Sequence, residues 1–497
     1  MAKKKSSTTF FFLLVSVSSS YRLSQEERIN ALELRVEVLE TAMDGFEPML
    51  AARYNLNRTC ITPEVVNGEA MCQYVTCKKK GICAKKLKLG SKCLAVCNPG
   101  FIATPGKDVT LCKEDGSWTI ELQCEIPLVL IGGSGKDSST ELLSLYPSQG
   151  CDVKIPDLPL DGGAHRRLHN LLYISPEKVL ACNGLSKSPE ATCDIWSISS
   201  NTWKPHTKPN KGSAENEREC EYGGFSRYFD PEEECGPDRK KGRYASQIQT
   251  VEGETLIVGG MVFNDEGHAP TNTVRILTTD YLSSHTKDDP CWDKSDSMES
   301  SRAFFCSIKV KEEGMLLIGG LGNNAGGNTI EKSVEYRKMG KSKHYRKNKY
   351  ALHDDKNWKP RSSFADMISP RSGHACSALP FNDYEILVTG GTSAFNTPAI
   401  AEGEIFNWNL NSWRKAASMK TPRFGHALVT VGPKVFAIGG DDRNPENILD
   451  TIEEYDLKTN TWSIHETRLN RPRSDFGYTL VPHSMFPGCV VSDSLSE

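Results

Sequence analysis

The strongest constraint on this chain is a short apolar run ending in a glycine pair, which recurs through its C-terminal two-thirds. The pairs are Gly132-Gly133, Gly259-Gly260, Gly319-Gly320, Gly390-Gly391 and Gly439-Gly440, and Leu180-Ala-Cys-Asn183-Gly184 fits between the first two as a degenerate copy. Their second glycines are 49 to 76 residues apart, so the basic unit is about fifty residues with insertions. An aromatic residue and then a tryptophan follow most pairs. Trp196 and Trp203, Phe406 and Trp413, and Tyr455 and Trp462 are each seven apart, the span of a tight turn between two antiparallel strands. In another unit the same positions are stretched, with Tyr336 and Trp358 enclosing an insertion. A strand precedes each unit, and five of these open with arginine: Arg243, Arg302, Arg371, Arg423 and Arg473, with His169-Asn-Leu-Leu as the weakest copy. One such unit cannot bury its own faces. The glycines allow close backbone approach and positive φ, and the rings fill the space between stacked sheets.

These repeats resemble the kelch family, and the resemblance covers residues 126–486. It implies a propeller whose blades are four-stranded antiparallel sheets. The first glycine pair has no opening strand before it, and the last opening strand, Phe476 to Val481, has no glycine pair after it. Placing both orphans in one blade gives a mainly β chain built on a six-bladed kelch β-propeller, with the C-terminal segment donating the inner strand of blade one and removing the open edges.

The N-terminal part is different. Of 17 cysteines, Cys60, Cys72, Cys77, Cys83, Cys93, Cys97, Cys112 and Cys124 crowd into one short stretch, which suits an oxidising compartment or a metal cluster. Lys3, Lys4 and Lys5 precede an apolar stretch and small residues ending at Ser20, so residues 1–20 read as a secretory signal, with a signal anchor or a misassigned start as the competing reading. No later segment is both long enough and free of charge to span a bilayer as a helix. Asn57-Arg58-Thr59 is a glycosylation acceptor. Within residues 21–56, Ile29, Leu32, Val36, Leu39, Met43, Phe46 and Leu50 alternate spacings of three and four, an amphipathic helix that either self-associates as a short coiled coil or packs on a neighbour. Residues 57–125 contain Cys60-Ile-Thr-Pro63, Cys97-Asn-Pro-Gly100-Phe101, Cys112, Gly116-Ser-Trp118 and Cys124, and they resemble a sushi (complement control protein) module. That resemblance implies a small disulfide-rich β-module with Cys60 paired to Cys112 and Cys97 to Cys124, and Trp118 as its large buried ring. The four extra cysteines are either two further disulfides or a zinc site, and no histidine lies in the module. Residues 487–497 are a tail.

A net charge of −3 excludes a generally basic nucleic-acid binder. Two insertions stand out: Lys204 to Lys241, where Cys220 and Cys235 would tie a loop, and the basic run 337–349, a solvated loop or an anion contact. Cys182 and Cys193 fall on adjacent strands and form a plausible pair, while the distance between Cys306 and Cys376 is open. His374 and His426 are equivalent by position and are expected to be structural, since the kelch repeat itself has a small histidine-bearing motif there. The kelch motif residues expected to carry the fold are the glycine pairs with Trp203, Trp358, Trp413, Tyr455 and Trp462. No catalytic constellation, cofactor or metal site is expected. The two resemblances together imply a secreted, extracellular, non-enzymatic binding or adhesion glycoprotein with a protein or glycan ligand and an oligomerising helix. Two alternatives stand beside it. One is a copper radical oxidase of the galactose-oxidase type, a seven-bladed family whose metal ligands do not map onto this chain; the other is an intracellular kelch adaptor for ubiquitin ligation.

Overall fold

A computed structural model describes residues 59–72, 86–134, 137–146, 153–159, 166–175, 178–184, 193–205, 243–251, 254–264, 267–278, 293–295, 297–310, 314–324, 327–338, 358–359, 363–380, 382–444 and 446–486. The secretory signal, the amphipathic helix, Asn57, Cys77, Cys83, Cys220, Cys235, residues 339–349 of the basic run and the tail lie outside the described residues. No described helix is long and apolar enough to cross a membrane.

The described chain is mostly β, with repeated antiparallel sheets whose four strands lie in sequence order, consistent with a kelch-type propeller. Sheet 2 comprises Asn170–Ser175, Lys178–Cys182, Cys193–Ser197 and Thr202–Pro205; sheet 3, Gln247–Val251, Glu254–Val258, Val274–Thr278 and Asp293–Ser295. Sheet 4 comprises Cys306–Val310, Gly314–Asn324, Gly327–Lys338 and Trp358–Lys359, with Arg302–Ala303 also pairing with its second strand. Sheet 5 comprises Ala375–Leu379, Asn382–Thr389, Gly403–Asn407 and Ser412–Ala416; sheet 6, Ala427–Val431, Lys434–Ile438, Thr451–Asp456 and Thr461–Arg468. Sheet 1 joins the two ends of the repeat region: Gly477–Pro482 pairs with Pro127–Ser134, which pairs with Asp137–Leu143.

The alternation of apolar residues explains the strands. Val435, Phe436, Ala437 and Ile438 are buried on both faces, as expected of an inner strand between stacked sheets. Outer strands are half solvated: in Thr461–Arg468 only Trp462 is fully buried. The aromatic pairs sit directly opposite each other, Trp196 with Trp203, Phe406 with Trp413 and Tyr455 with Trp462, with ring centroids 6.2, 4.9 and 5.0 Å apart. In sheet 4 the register differs from the sequence reading. Trp358 lies opposite Arg337, not Tyr336, and the Arg337 guanidinium takes the ring's place 5.9 Å from the Trp358 centroid. Arg337 and Lys338 therefore belong to a strand and not to the basic insertion.

The cysteine-rich segment is divided between two compact units. In the first, which includes residues 86–91 and 111–119, Cys60–Ile61 pairs with Lys86–Leu87, Cys60 is bonded to Cys112, and the Trp118 indole N–H donates to the Ile61 carbonyl at 2.9 Å. Trp118 is half-buried, not the buried ring anticipated, because this small unit has too little chain to cover it. In the second unit, Gly68–Cys72 pairs with Lys92–Cys97, and Cys72–Cys93 and Cys97–Cys124 are bonded. Phe101, Cys124 and Ile126 share one apolar cluster with Leu128, Leu130 and Val431 of the sheets. Gly432 N–H donates to the Gly100 carbonyl at 2.8 Å. The boundary expected at residue 125 thus does not separate this half of the segment from the sheets.

Candidate functional site

Each sheet is entered through an arginine. Arg302, Arg371 and Arg423 are buried and donate to the carbonyl of the first glycine of their own sheet's pair, at 2.8, 3.1 and 2.6 Å. Each also meets a third-strand carboxylate: Arg302 with Glu335 and Arg371 with Glu404 at 2.9 Å, and Arg423 with Glu453 at 3.1 Å. Two backbone N–H groups complete each carboxylate's partners, as Lys420 and Thr421 do for Glu453. A buried ion pair is tolerated only when its remaining hydrogen-bonding positions are filled, and here the linker backbone fills them. Arg473 makes the same contacts with the other end of the repeat region, donating to Ser139 and lying 3.7 Å from Glu141. Sheet 2 uses Arg166 with Asp194, 2.6 Å apart. The sequence pattern places the opening of this sheet at His169, three residues beyond this arginine. Sheet 3 has Arg243 donating to Gly259 and Thr273, and Arg275 stands at the position that is a carboxylate elsewhere.

Two residues after each arginine the backbone turns left-handed, at Leu168, Ala245, Phe304, Gly373, Gly425 and Asp475, with φ between 51° and 67°. These residues are hydrogen-bonded in a cycle. Leu168 N–H donates to the Asp475 carbonyl, Asp475 to Gly425, Gly425 to Gly373, Gly373 to Phe304, Phe304 to Ala245 and Ala245 back to Leu168, at 2.7 to 3.1 Å.

The next residue, together with the carbonyl of the entering arginine, explains the glycine pairs: a Cβ would lie no more than 3.1 Å from that carbonyl at Gly133, Gly259, Gly319, Gly390 and Gly439. His169, Phe305, His374, His426 and Phe476 each pack a ring against the first left-handed position of the preceding sheet. A Cβ built there would lie 2.9, 2.9, 2.8, 2.7 and 3.0 Å from the ring at Gly133, Gly259, Gly319, Gly390 and Gly439. In sheet 3 the ring is replaced by Ser246, and the facing residue is Asn183, whose amide reaches the Ser246 hydroxyl at 3.4 Å. The degenerate motif is therefore a matched exchange. In sheet 1 it is Gly133, φ 67°, that occupies this position; Gly132 pairs with Gly477 within the strand. The second positions, Gly184, Gly260, Gly320, Gly391 and Gly440, have φ between 83° and 114°. His374 and His426 are buried, and His426 Nε2 lies 3.0 Å from the Thr389 hydroxyl. Burial, reinforced by the neighbouring arginine, lowers the pKa of both, that of His374 to about 3, and His169 is likewise held at about 3. Among the described residues no group of three or more His, Cys, Asp or Glu could hold a metal.

The outer-strand tryptophans are tied down too. Trp203, Trp413 and Trp462 donate through Nε1 to the carbonyls of Pro156, Ala365 and Ala417. Disulfides join Cys182 to Cys193 across sheet 2 and Cys306 to Cys376 between the inner strands of sheets 4 and 5, the latter with Cα atoms 5.9 Å apart.

The arginine end of the sheets carries a cavity of about 110 Å³ lined by Phe304, Leu321, Ile330, Ser372, Thr392, Ala394, Phe395, Phe424 and Arg443. It draws on sheets 4, 5 and 6, and the Arg443 guanidinium lies over the Phe424 ring at 4.9 Å. Beside it, Asp441 accepts from the backbone N–H of Arg443 at 2.7 Å and from the Ser474 hydroxyl. Asp475 is sealed at Oδ1, and burial together with the Asp441 charge raises its pKa to about 7. The arrangement offers shape, apolar surface and one cation.

The Kelch motif family model matches residues 422–464, the chain from just before Arg423 into the outer strand of sheet 6. The chain is 32% identical over 93 residues to an F-box/kelch-repeat protein of Arabidopsis thaliana, covering 18% of this chain and 24% of that protein. It is 39% identical over 61 residues to Kelch-like protein 7 of Rattus norvegicus (12% of this chain, 10% of that protein) and 36% identical over 64 residues to human Kelch-like protein 21 (13% and 11%). The chain thus spans less than a quarter of the length of the curated relatives it matches. These relatives are F-box/kelch-repeat and Kelch-like proteins, not secreted sushi–kelch proteins. The expectations of a secreted sushi–kelch glycoprotein, of an adhesion function, of an extracellular location and of an extracellular protein or glycan ligand are corrected accordingly. The sushi resemblance misled because a few cysteines, a Trp and a Gly-Phe are a short signature, and half of that segment shares its core with the sheets. Among the described residues the oxidase alternative finds no metal-ligand set.

Proposed function

We propose that this chain is a non-enzymatic kelch-type adaptor, in which a propeller of six blades presents its arginine-end loops to a partner protein and delivers that partner to ubiquitin ligation. The observation that carries this reading is the repeated arginine, left-handed turn and glycine arrangement, whose sheet 6 copy coincides with the Kelch motif match at 422–464. The F-box/kelch-repeat and Kelch-like names of the relatives support the adaptor role. Six blades are supported by the cycle of six backbone hydrogen bonds and by the pairing of Gly477–Pro482 with Pro127–Ser134. Closure leaves every sheet with a neighbour on both faces, which removes the exposed edges an open array would have. The test is recovery of the tagged full-length chain from cells. Ubiquitin-ligase subunits should co-purify, and a co-purified partner should accumulate when the chain is depleted. Recovery without ligase subunits, and with partner levels unchanged on depletion, would contradict the adaptor role.

A further inference from the structure

We infer that the cavity at the arginine end of sheets 4 to 6 is a peptide-reading pocket, which takes one apolar side chain of leucine or phenylalanine size and holds a carboxylate of the same segment on Arg443. This rests on the partner-binding reading above and adds the chemistry of what is bound. Size supports a single side chain: a closed apolar cavity of about 150 Å³ accommodates benzene, and this one, at about 110 Å³, is smaller and open to solvent. Its walls are apolar. Phe304, Leu321, Ile330 and Phe424 form them, and Phe395 stands at the rim 53% exposed. Most of the polar lining is engaged: the Thr392 hydroxyl donates to the Ala394 carbonyl and meets the Thr397 hydroxyl, and the Ser372 and Thr392 backbones exchange both their hydrogen bonds. What remains for a ligand is apolar surface, favourable to cover, the Ser372 hydroxyl and one cation.

The backbone cycle fixes one wall of the cavity at Phe304, and Arg443 supplies the second observation. Phe304 adopts φ 51°, a conformation that a bulky residue rarely takes and that persists only when the surroundings impose it. The backbone cycle imposes it here, since Phe304 N–H donates to Ala245 and its carbonyl accepts from Gly373. Arg443 is exposed, and no carboxylate of the described residues lies within 4 Å of its guanidinium; the nearby Asp441 is occupied by the Arg443 backbone N–H and the Ser474 hydroxyl. A cation stacked on an aromatic ring at the lip of an apolar hole suits an acidic residue one or two positions from the inserted side chain.

The test is selection of random displayed heptapeptides on the full-length chain, followed by anisotropy titration of the fluorescein-labelled winners. Expected is enrichment of Leu, Met or Phe with Asp or Glu within two positions. Arg443→Glu, at an exposed residue, should weaken these peptides at least tenfold and leave the melting temperature unchanged. A lysine replacing the peptide's acid should restore binding to Arg443→Glu. Ile330→Trp, which fills the cavity, should abolish binding of both peptides. Winners without the acid, or winners that bind Arg443→Glu equally well, overturn the proposed ligand class. Winners indifferent to Ile330→Trp, or no winners at all, overturn the pocket. None of these outcomes bears on ligase co-purification, which judges the adaptor reading separately.

Discussion

Sheets 6 and 3 are two copies of one unit built with different parts. Sheet 6 has the full set: Arg423 on Glu453, a His426 ring against Gly390, and Tyr455 opposite Trp462. Sheet 3 has Arg275 where the carboxylate stands elsewhere and Ser246 where the ring stands, and the facing Gly has become Asn183. Both sheets keep the entering arginine and the left-handed turn that joins the hydrogen-bonded cycle, at Ala245 and Gly425. The backbone cycle is therefore the invariant of the architecture, and the side-chain contacts are exchangeable as matched groups. Changing one member alone should cost more than the natural exchange of the pair.

The largest effect is expected at the buried ion pair. Arg423→Met leaves Glu453 charged and buried, a loss of about 3–5 kcal/mol in denaturant unfolding. Arg243→Met in sheet 3 should cost about 1–3 kcal/mol, the price of lost hydrogen bonds to Gly259 and Thr273 with no buried carboxylate at the Arg275 position. Equal losses would remove the distinction between the two sheets.

Next comes the link between sheets 4 and 5. Cys306→Ser with Cys376→Ser opens a loop of 70 residues and should lower stability by about 2–4 kcal/mol, read as a shifted midpoint relative to the oxidised chain. An unshifted midpoint would show that the two inner strands need no covalent link.

Gly390→Ala combines a left-handed φ of 67° with a Cβ 2.7 Å from the His426 ring and closer still to the Arg423 carbonyl, and should cost about 2–3 kcal/mol. Asn183→Gly, where no ring is opposed, should change stability by less than about 1 kcal/mol. Comparable losses at both positions would mean that crowding by the ring and the arginine carbonyl is not what selects glycine.

The smallest effect concerns acid. Because burial holds His374 neutral, with a folded pKa near 3 against 6.5 for the free side chain, its contribution is intact above pH 6.5 and is lost as the pH falls toward 3. Replacing His374 and His426 with Phe, the residue at the equivalent positions 305 and 476, should recover about 1 kcal/mol per site at pH 6 relative to pH 8. An unchanged pH profile would mean that these histidines bind protons equally in the folded and unfolded chain.

Much of the repeat was legible because its constraints are local. A glycine pair after an apolar run, and a ring seven residues before a tryptophan, each report one strand and its turn. The entering arginine was legible in five sheets and missed at Arg166, where Arg167-Leu168-His169 keeps only the histidine of the Ser-Gly-His spelling of residues 372–374. The carboxylates were missed as well, although the spacing was present: Asp194, Glu404 and Glu453 each precede the aromatic residue of their strand by two. Sheet 4 hid its register because Arg337 does the work of a ring. The cavity left no trace in the sequence. Phe304, Leu321, Phe395, Phe424 and Arg443 come from three different repeats, and only the packing of sheets 4, 5 and 6 brings them together.

The most direct test of the architecture is hydrogen exchange of the backbone amides in the C-terminal strand, followed by mass spectrometry on the full-length chain. If Gly477–Pro482 closes the array, its amides should be protected as strongly as those of Ala427–Val431. Deleting residues 473–486 should then release protection in Pro127–Ser134. Exchange of 477–482 at the rate of an open strand, with 427–431 still protected, would contradict a closed propeller of six blades.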